Sequence, residues 1–328
     1  MASVAEQLAS NISLSALKSA TELRKRIWFT ILALIVYRFG TYLPHPGIDL
    51  DALRQIFEQN QSGIIGVFNM FSGGAVGRMA IFSLGIMPYI TASIIIQLIV
   101  PVIPSLNYLK KEGGERGRRQ INQYTRYSTV FLATIQAWGI AVGLEGATGV
   151  VSDPGLFFKI SAVITLVGGT IFLMWLGEQI TSRGVGNGIS LIILSGIVAE
   201  IPRALASTFE LGRTGALSSL VIIGVIILLL VAIYFIVFVE RAQRRVVVQY
   251  PKRQVGNKMY GGESSHLPLK INTAGVIPAI FASALLLLPV SFSNFNISQT
   301  EVFLNISSYF SQGQPLYMIL YALSLIHI

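Results

Sequence analysis

The chain has 328 residues, 53% of them hydrophobic and only 12% charged, with 24 Lys and Arg against 15 Asp and Glu, a net charge of +9 and no cysteine. A soluble domain carries roughly 25% charged residues, so this composition excludes one. The absence of cysteine also excludes disulfides, thiolate metal sites and cysteine nucleophiles.

In chain order, apolar runs occupy 27–43, 79–103, 127–144, 157–176, 189–201, 217–239 and 271–292, and a last run opens at Leu316. Most reach the roughly 17–25 residues that a spanning helix needs. The run 189–201 is short and contains Glu200, so by itself it is the weakest. The first 26 residues hold no apolar core with a small-residue cleavage site, so the first run reads as a retained span. Glu6 and Glu22 speak against an organelle transit peptide.

Charge sets the orientation. Lys18, Arg24, Lys25 and Arg26 precede the first span, and Lys110, Lys111, Arg116, Arg118, Arg119 and Arg126 separate the second from the third. Arg183 follows the fourth, while Arg241, Arg244, Arg245, Lys252, Arg253, Lys258 and Lys270 separate the sixth from the seventh. The opposite loops carry Asp49, Asp51, Glu58, Glu145, Asp153, Glu210 and Glu301. The positive-inside rule makes the basic loops, and with them the N-terminus, cytoplasmic.

The stretch 68–78, FNMFSGGAVGR, is glycine-broken and half-polar, and it leads straight into a span interrupted by Gly85 and Pro88. Irregular backbone at membrane depth survives only where protein covers it or water fills a cavity beside it. The stretch therefore points to a pathway. Two basic loops, 107–126 and 240–270, exceed what topology demands. The glycines at 113, 114 and 117 predict a flexible first loop, and Arg244-Arg245 followed by VVVQY predicts a short strand in the second. Anionic lipid headgroups are the simpler target for such loops, and a large anionic partner such as ribosomal RNA or an acidic protein face is the alternative.

No catalytic constellation emerges. His45, His266 and His327 are far apart, and His45, in a Pro-His-Pro turn, reads as a solvated residue. GVGNG at 184–188 reads as a tight turn whose glycines supply positive φ. No nucleotide phosphate loop is present. Coupled transporters place ionisable groups inside the membrane, yet the second, third, sixth and seventh spans contain no Asp or Glu. Arg38, near the outer end of the first span, reads most simply as snorkelling to the interface. Ile86 and Ile90 stand four apart about Pro88, Ile189 and Ile193 repeat that spacing, and Ile280 follows Pro278. Stiff β-branched side chains suit a dewetting constriction, although spacing alone favours ordinary lipid-facing or packing isoleucine.

The runs LGIMPYITASIIIQLI (84–99), MWLGEQITSRGVGNGISLII (174–193), VFVERAQRRVVVQYPKRQ (237–254), HLPLKINTAGVIPAIFAS (266–283) and KKEGGERGRRQINQYTRY (110–127) together resemble the SecY family of protein-conducting channels, in its bacterial form. The resemblance implies an all-α polytopic transmembrane helical bundle, a SecY-type channel of two pseudo-symmetric five-helix halves. The N-terminal half is 1–213, and the partial C-terminal half 214–328 carries the long cytoplasmic loop 240–270. It implies a plug at 68–78, with Phe68, Asn69, Phe71, Ser72, Gly73, Gly74 and Arg78 as its residues, and a pore ring of Ile86, Ile90, Ile189, Ile193 and Ile280. The second and seventh spans become a lateral gate.

Function follows from the same likeness: passage of unfolded secretory polypeptides across the membrane and sideways release of transmembrane segments into lipid, without enzymatic activity, cofactor or metal. Implied partners are the small subunits SecE and SecG, the SecA motor ATPase, the ribosome, signal-sequence-bearing polypeptides and membrane lipids. Lys110, Lys111, Arg118, Arg119, Arg241, Arg244, Arg245, Lys252 and Arg253 would form the docking surface for ribosome and motor. The location would be the bacterial inner membrane. A polytopic secondary transporter with discontinuous helices is the alternative. The chain stops thirteen residues into the eighth span, at Ile328, so the ninth and tenth spans are expected to be missing and these residues alone to form no sealed channel.

Overall fold

Apolar runs without nearby water must close their backbone hydrogen bonds internally, and helices do so residue by residue. A computed structural model of the chain describes residues 21–59, 69, 72–147, 149–249, 253–255, 258–260, 264–275, 278, 282 and 314–327. The helices are α1 Thr21–Gly40, α2 Leu50–Gln59, α3 Met87–Val102, α4 Pro104–Lys111, α5 Gly114–Gly146, α6 Leu156–Arg183, α7 Gly188–Arg213, α8 Ser219–Arg241 and α9 Pro315–His327. Among the described residues, α5, α6, α7 and α8 are each long and apolar enough to cross a membrane, and α3 and α4 reach that length and hydropathy only taken together, across a bend of 99°. In α1, Arg24, Lys25, Arg26 and Arg38 shorten the uncharged stretch. The expected seventh span lies outside the described residues except for 271–275, Pro278 and Ala282.

Two compact units are present, Met1–Pro202 with Phe281–His327, and Arg203–Ile280. In the first, α5 buries Thr125, Thr129, Ala133, Ala137 and Ala141, small residues four apart; Ala133 and Ala137 share a cluster with Leu166 of α6, and Ala141 shares one with Phe158 and Ala162. Small side chains let helix backbones approach where no hydrophobic force drives association in lipid. The buried threonines return their hydroxyls to carbonyls four residues back, as in Thr129 to Thr125 at 2.7 Å and Thr170 to Leu166 at 3.1 Å, so these hydroxyls are satisfied within their own helices.

Departures from the expected spans have local causes. Helix α3 begins only at Met87, because Pro88 lacks an N–H and suits the first turn of a helix. Residues 79–86 instead form turns, with Gly85 at φ +57°, and they pair with 43–45: the His45 amide donates to the Met79 carbonyl at 3.0 Å and the Ile81 amide to the Leu43 carbonyl at 3.0 Å. Helix α7 runs 26 residues, through Pro202, well past the weak run expected there.

The basic loop expected to be flexible is helical as well. Helix α4 turns back onto the start of α5, and a side chain at Gly117 would collide with the Leu109 carbonyl. Gly113 and Gly117 serve close approach, and Gly114 supplies a φ of +52° at the start of α5. A short helix not foreseen, α2, starts on an Asp49 cap, whose Oδ1 accepts from the amides of Asp51 at 2.9 Å and Ala52 at 3.2 Å. It buries Leu53 with Met79, Leu84 and Val150.

The second unit holds α8, whose spanning window has 0% of its residues buried inside the protein, and the strands β1 Gln243–Gln249, β2 Arg253–Val255, β3 Lys258–Tyr260 and β4 Ser264–Lys270. Strand β1 pairs antiparallel with β4, in the register Gln243 to Lys270 and Val247 to His266, and β2 pairs with β3. The strand predicted from VVVQY is β1.

Candidate functional site

The polar stretch ahead of α3 folds upon itself. Gly73 and Gly74 adopt φ +65° and +81°, conformations open to glycine at little cost. The Gly74 amide donates to the Asn69 carbonyl at 2.8 Å, and the Gly77 amide donates to Asn69 Oδ1, also at 2.8 Å. Val76–Arg78 complete a 3₁₀ turn. Asn69, Ser72, Gly73, Gly74 and Arg78 are thus placed in one knot, whereas Phe68 and Phe71 lie outside the described residues.

The knot is seated on α1 and α7. The Tyr37 hydroxyl donates to the Ser72 carbonyl at 3.3 Å and Arg38 Nη1 to the Gly73 carbonyl at 2.6 Å. Arg78 Nη1 donates to the Thr41 carbonyl at 3.3 Å, and Nη2 stands 4.0 Å from Glu200 Oε1. A Cβ on Gly73 would lie 3.0 Å from the Gly196 Cα of α7. Arg38 therefore does not snorkel. The carbonyls that accept from it become visible only when the chain folds, which is why the sequence points the other way.

One apolar cluster, joined to the knot through Tyr37, takes in four of the isoleucines. Ile86 is buried in a cluster with Tyr37, Phe82, Leu173, Leu176, Ile180 and Ile192, and Ile90, Ile189 and Ile193 pack against that cluster half-buried. The Ile90 amide donates to the Ile86 carbonyl at 3.1 Å, so the two share one turn. Ile280 lies outside the described residues. In the GVGNG turn only Gly186 has positive φ, at +74°. Gly188 is there for another reason: a Cβ on it would strike the Gly177 carbonyl.

The basic candidates divide. Lys110 and Arg118 line a half-open cavity of about 320 Å³ with Gln97, Val100, Gly114 and Ile121. Lys111 and Arg119 are exposed nearby, Arg119 at 3.4 Å from Glu115. Arg244 and Arg245 lie exposed on β1 and Arg241 ends α8. Arg253 is on β2, and Lys252 lies outside the described residues. Arg126 is committed elsewhere, to Glu178 at 2.8 Å.

His45 corrects another expectation. It is 3% exposed, both ring nitrogens are buried without a partner among the described residues, and its ring meets Phe158 edge-on at 5.7 Å. Pairing of 43–45 with 79–81 draws this turn inward. Among the described residues no group of three His, Asp or Glu is disposed to hold a metal ion.

Comparison with known proteins bears on this arrangement. The family model described as SecY matches residues 80–328. The protein translocase subunit SecY of Rickettsia bellii is 58% identical over 308 residues, covering 93% of this chain and 71% of that one. The protein of the same name from Escherichia coli K12 is 54% identical over 310 residues, covering 93% and 70%. Among solved structures, one described as a protein conducting channel superposes with TM-score 0.61 at 20% identity, over 93% of this chain and 70% of the other. Another, from work on the plug domain of SecY and the closed state of its channel, gives TM-score 0.54 at 22% identity over 84% and 60%. At that identity the structural likeness speaks for the fold.

Proposed function

This chain belongs to the SecY family, and from that membership we infer that it is the central pore-forming subunit of a protein-conducting channel, passing unfolded secretory polypeptides across the membrane and releasing transmembrane segments sideways into lipid. The observation that carries the reading is the junction of two unlike elements at Tyr37: a polar, glycine-rich knot of Asn69 and residues 72–78, and an apolar cluster that holds Ile86 and has Ile90, Ile189 and Ile193 packed against it. An uncharged aliphatic constriction excludes ions by dewetting yet yields to a passing chain. A knot held by a few polar contacts can leave its seat, since moving elements come from the low-stability end of a structure.

On this reading Asn69, Ser72, Gly73, Gly74 and Arg78, with Phe68 and Phe71, form the plug, and the four isoleucines with Ile280 form the ring. The boundary between pseudo-symmetric halves falls after residue 213, and α3 belongs to the lateral gate. The basic residues from Lys110 to Arg119 and from Arg241 to Arg253 receive the ribosome and the SecA motor, and SecE and SecG are the small membrane partners. One solved neighbour, Sec61 in a canine ribosome–channel complex, is consistent with the ribosome as a partner. The membrane is the bacterial inner membrane, with a cytoplasmic N-terminus. The secondary-transporter alternative finds no relative among the comparisons reported above.

The test is capture of a stalled secretory polypeptide by photo-crosslinkers at Ile90 and Ile193 in the assembled membrane complex. Both sites are expected to capture the chain, while a probe at Leu228, 68% exposed on α8, should not. Capture at Leu228 alone would refute the pore assignment.

A further inference from the structure

The outer seat of segment 69–78 brings two cations to one aromatic ring. The guanidinium carbon of Arg38 lies 4.8 Å from the centroid of Tyr42, and that of Arg78 lies 4.1 Å from it. Arg38 Nη2 also donates to the Tyr42 hydroxyl at 2.9 Å, leaving Nη1 for the Gly73 carbonyl at 2.6 Å. Glu200 is the carboxylate paired with Arg78, at 4.0 Å. Among the described residues Arg38 takes part in no such ion pair. Two like charges brought to one place repel unless a negative potential offsets them, and the face of the ring they share supplies one.

Tyr42 is 54% exposed, in contrast to Tyr37 at 2%, so packing does not explain its place. We propose that Tyr42 is a positioning residue for segment 69–78: shared between Arg38 of the seat and Arg78 of the segment, its ring sets how readily the segment is released. The proposal rests on the reading of that segment as a plug. Arg38 grips the segment's backbone and Arg78 grips the seat, and the Tyr42 ring lies by both guanidinium groups. Its loss loosens both grips together.

The chain contains no cysteine, so Val76→Cys, on the 3₁₀ turn, gives a unique reporter thiol. Its labelling by a membrane-impermeant maleimide from the outer side is followed in the assembled complex in proteoliposomes. A stalled secretory chain is expected to speed labelling in the otherwise unaltered protein. At rest, Tyr42→Ala is expected to speed it about tenfold, equivalent to about 1.4 kcal/mol. Tyr42→Phe keeps the ring and loses the hydroxyl, and should give a rise of about threefold or less, while Tyr42→Trp should stay within about twofold of the parent. In combination with Arg78→Met, the Tyr42→Ala effect should shrink well below its value alone.

No response to the stalled chain would overturn the plug reading itself. A response to the stalled chain with Tyr42→Ala at the parental rate would overturn the role of Tyr42 alone. Equal acceleration by Ala, Phe and Trp, or full additivity with Arg78→Met, would likewise exclude a shared ring.

Discussion

Arg126 of α5 holds Glu178 of α6 through two parallel hydrogen bonds, Nε to Oε1 at 3.0 Å and Nη2 to Oε2 at 2.8 Å. The fork-to-carboxylate match is available to arginine and not to lysine. The side chains are 49% and 35% exposed, so solvent screens the pair. A coupling of about 0.5–1 kcal/mol is expected. Thermal unfolding in detergent of Arg126→Lys, Glu178→Gln and the double variant measures it. Arg126→Lys should lose most of the coupling despite keeping its charge, and a coupling of zero would show the pair to be incidental.

The hairpin of α4 and α5 makes a sharper prediction. A methyl at Gly117 would overlap the Leu109 carbonyl, whereas one at Gly143, on the same helix, would meet nothing within 4 Å. Gly117→Ala should therefore destabilise by about 1–3 kcal/mol, as overpacking does. Gly143→Ala should be neutral or stabilise by about 0.5–1 kcal/mol through helix propensity. Equal melting temperatures for the two variants would contradict the backbone contact.

These two sites show what the sequence could and could not convey. Apolar run length marked α5, α6 and α8 because hydropathy and bilayer thickness are one-dimensional quantities. It understated α7, whose helix continues through Pro202 and Arg203 once the chain is already helical. Gly113, Gly114 and Gly117 suggested a flexible loop because a glycine needed for close approach looks the same in sequence as one needed for motion. The four-residue spacing of Thr125, Thr129, Ala133, Ala137 and Ala141 was the available signal that α5 packs closely along this face. Of the candidate site, the break at Gly85 and Pro88 and the isoleucine spacings were visible. The grip of Arg38 on Gly73 was not, since it depends on a carbonyl 35 residues away.

His45 supplies a test of the inward turn. A buried ring nitrogen without a partner forfeits its hydration, at a cost of about 1–3 kcal/mol. His45→Leu, which keeps an apolar body against Phe158, should raise the melting temperature, with a gain of about 1 kcal/mol. His45→Lys, which puts a charge in the same space, should lower expression of folded protein sharply. A marked loss of stability in His45→Leu would mean that the imidazole nitrogens hold a partner in the membrane-embedded protein.

Ile86 and Ile90 share a turn but not an environment, and that separates packing from gating. Ile86 is 4% exposed within the cluster of Phe82, Leu173 and Ile192, whereas Ile90 packs against that cluster half-buried. Truncating a fully enclosed isoleucine leaves a cavity that the surroundings only partly refill, so Ile86→Ala should cost about 2–5 kcal/mol of stability. Ile90→Ala removes less buried contact and should cost nearer 1 kcal/mol. If the isoleucines form a dewetting constriction, the ion leak should run in the opposite order. Ile90→Ala, and more so Ile90→Ser, widens and wets the aperture while the fold persists. Halide efflux from proteoliposomes carrying the assembled channel, read beside the melting temperature, distinguishes the two effects. A leak that follows lost stability across Ile86→Ala, Ile90→Ala and Ile193→Ala would reduce these residues to core packing. A leak largest at Ile90 and Ile193, with melting temperatures near that of the parent, would place the seal at their side chains.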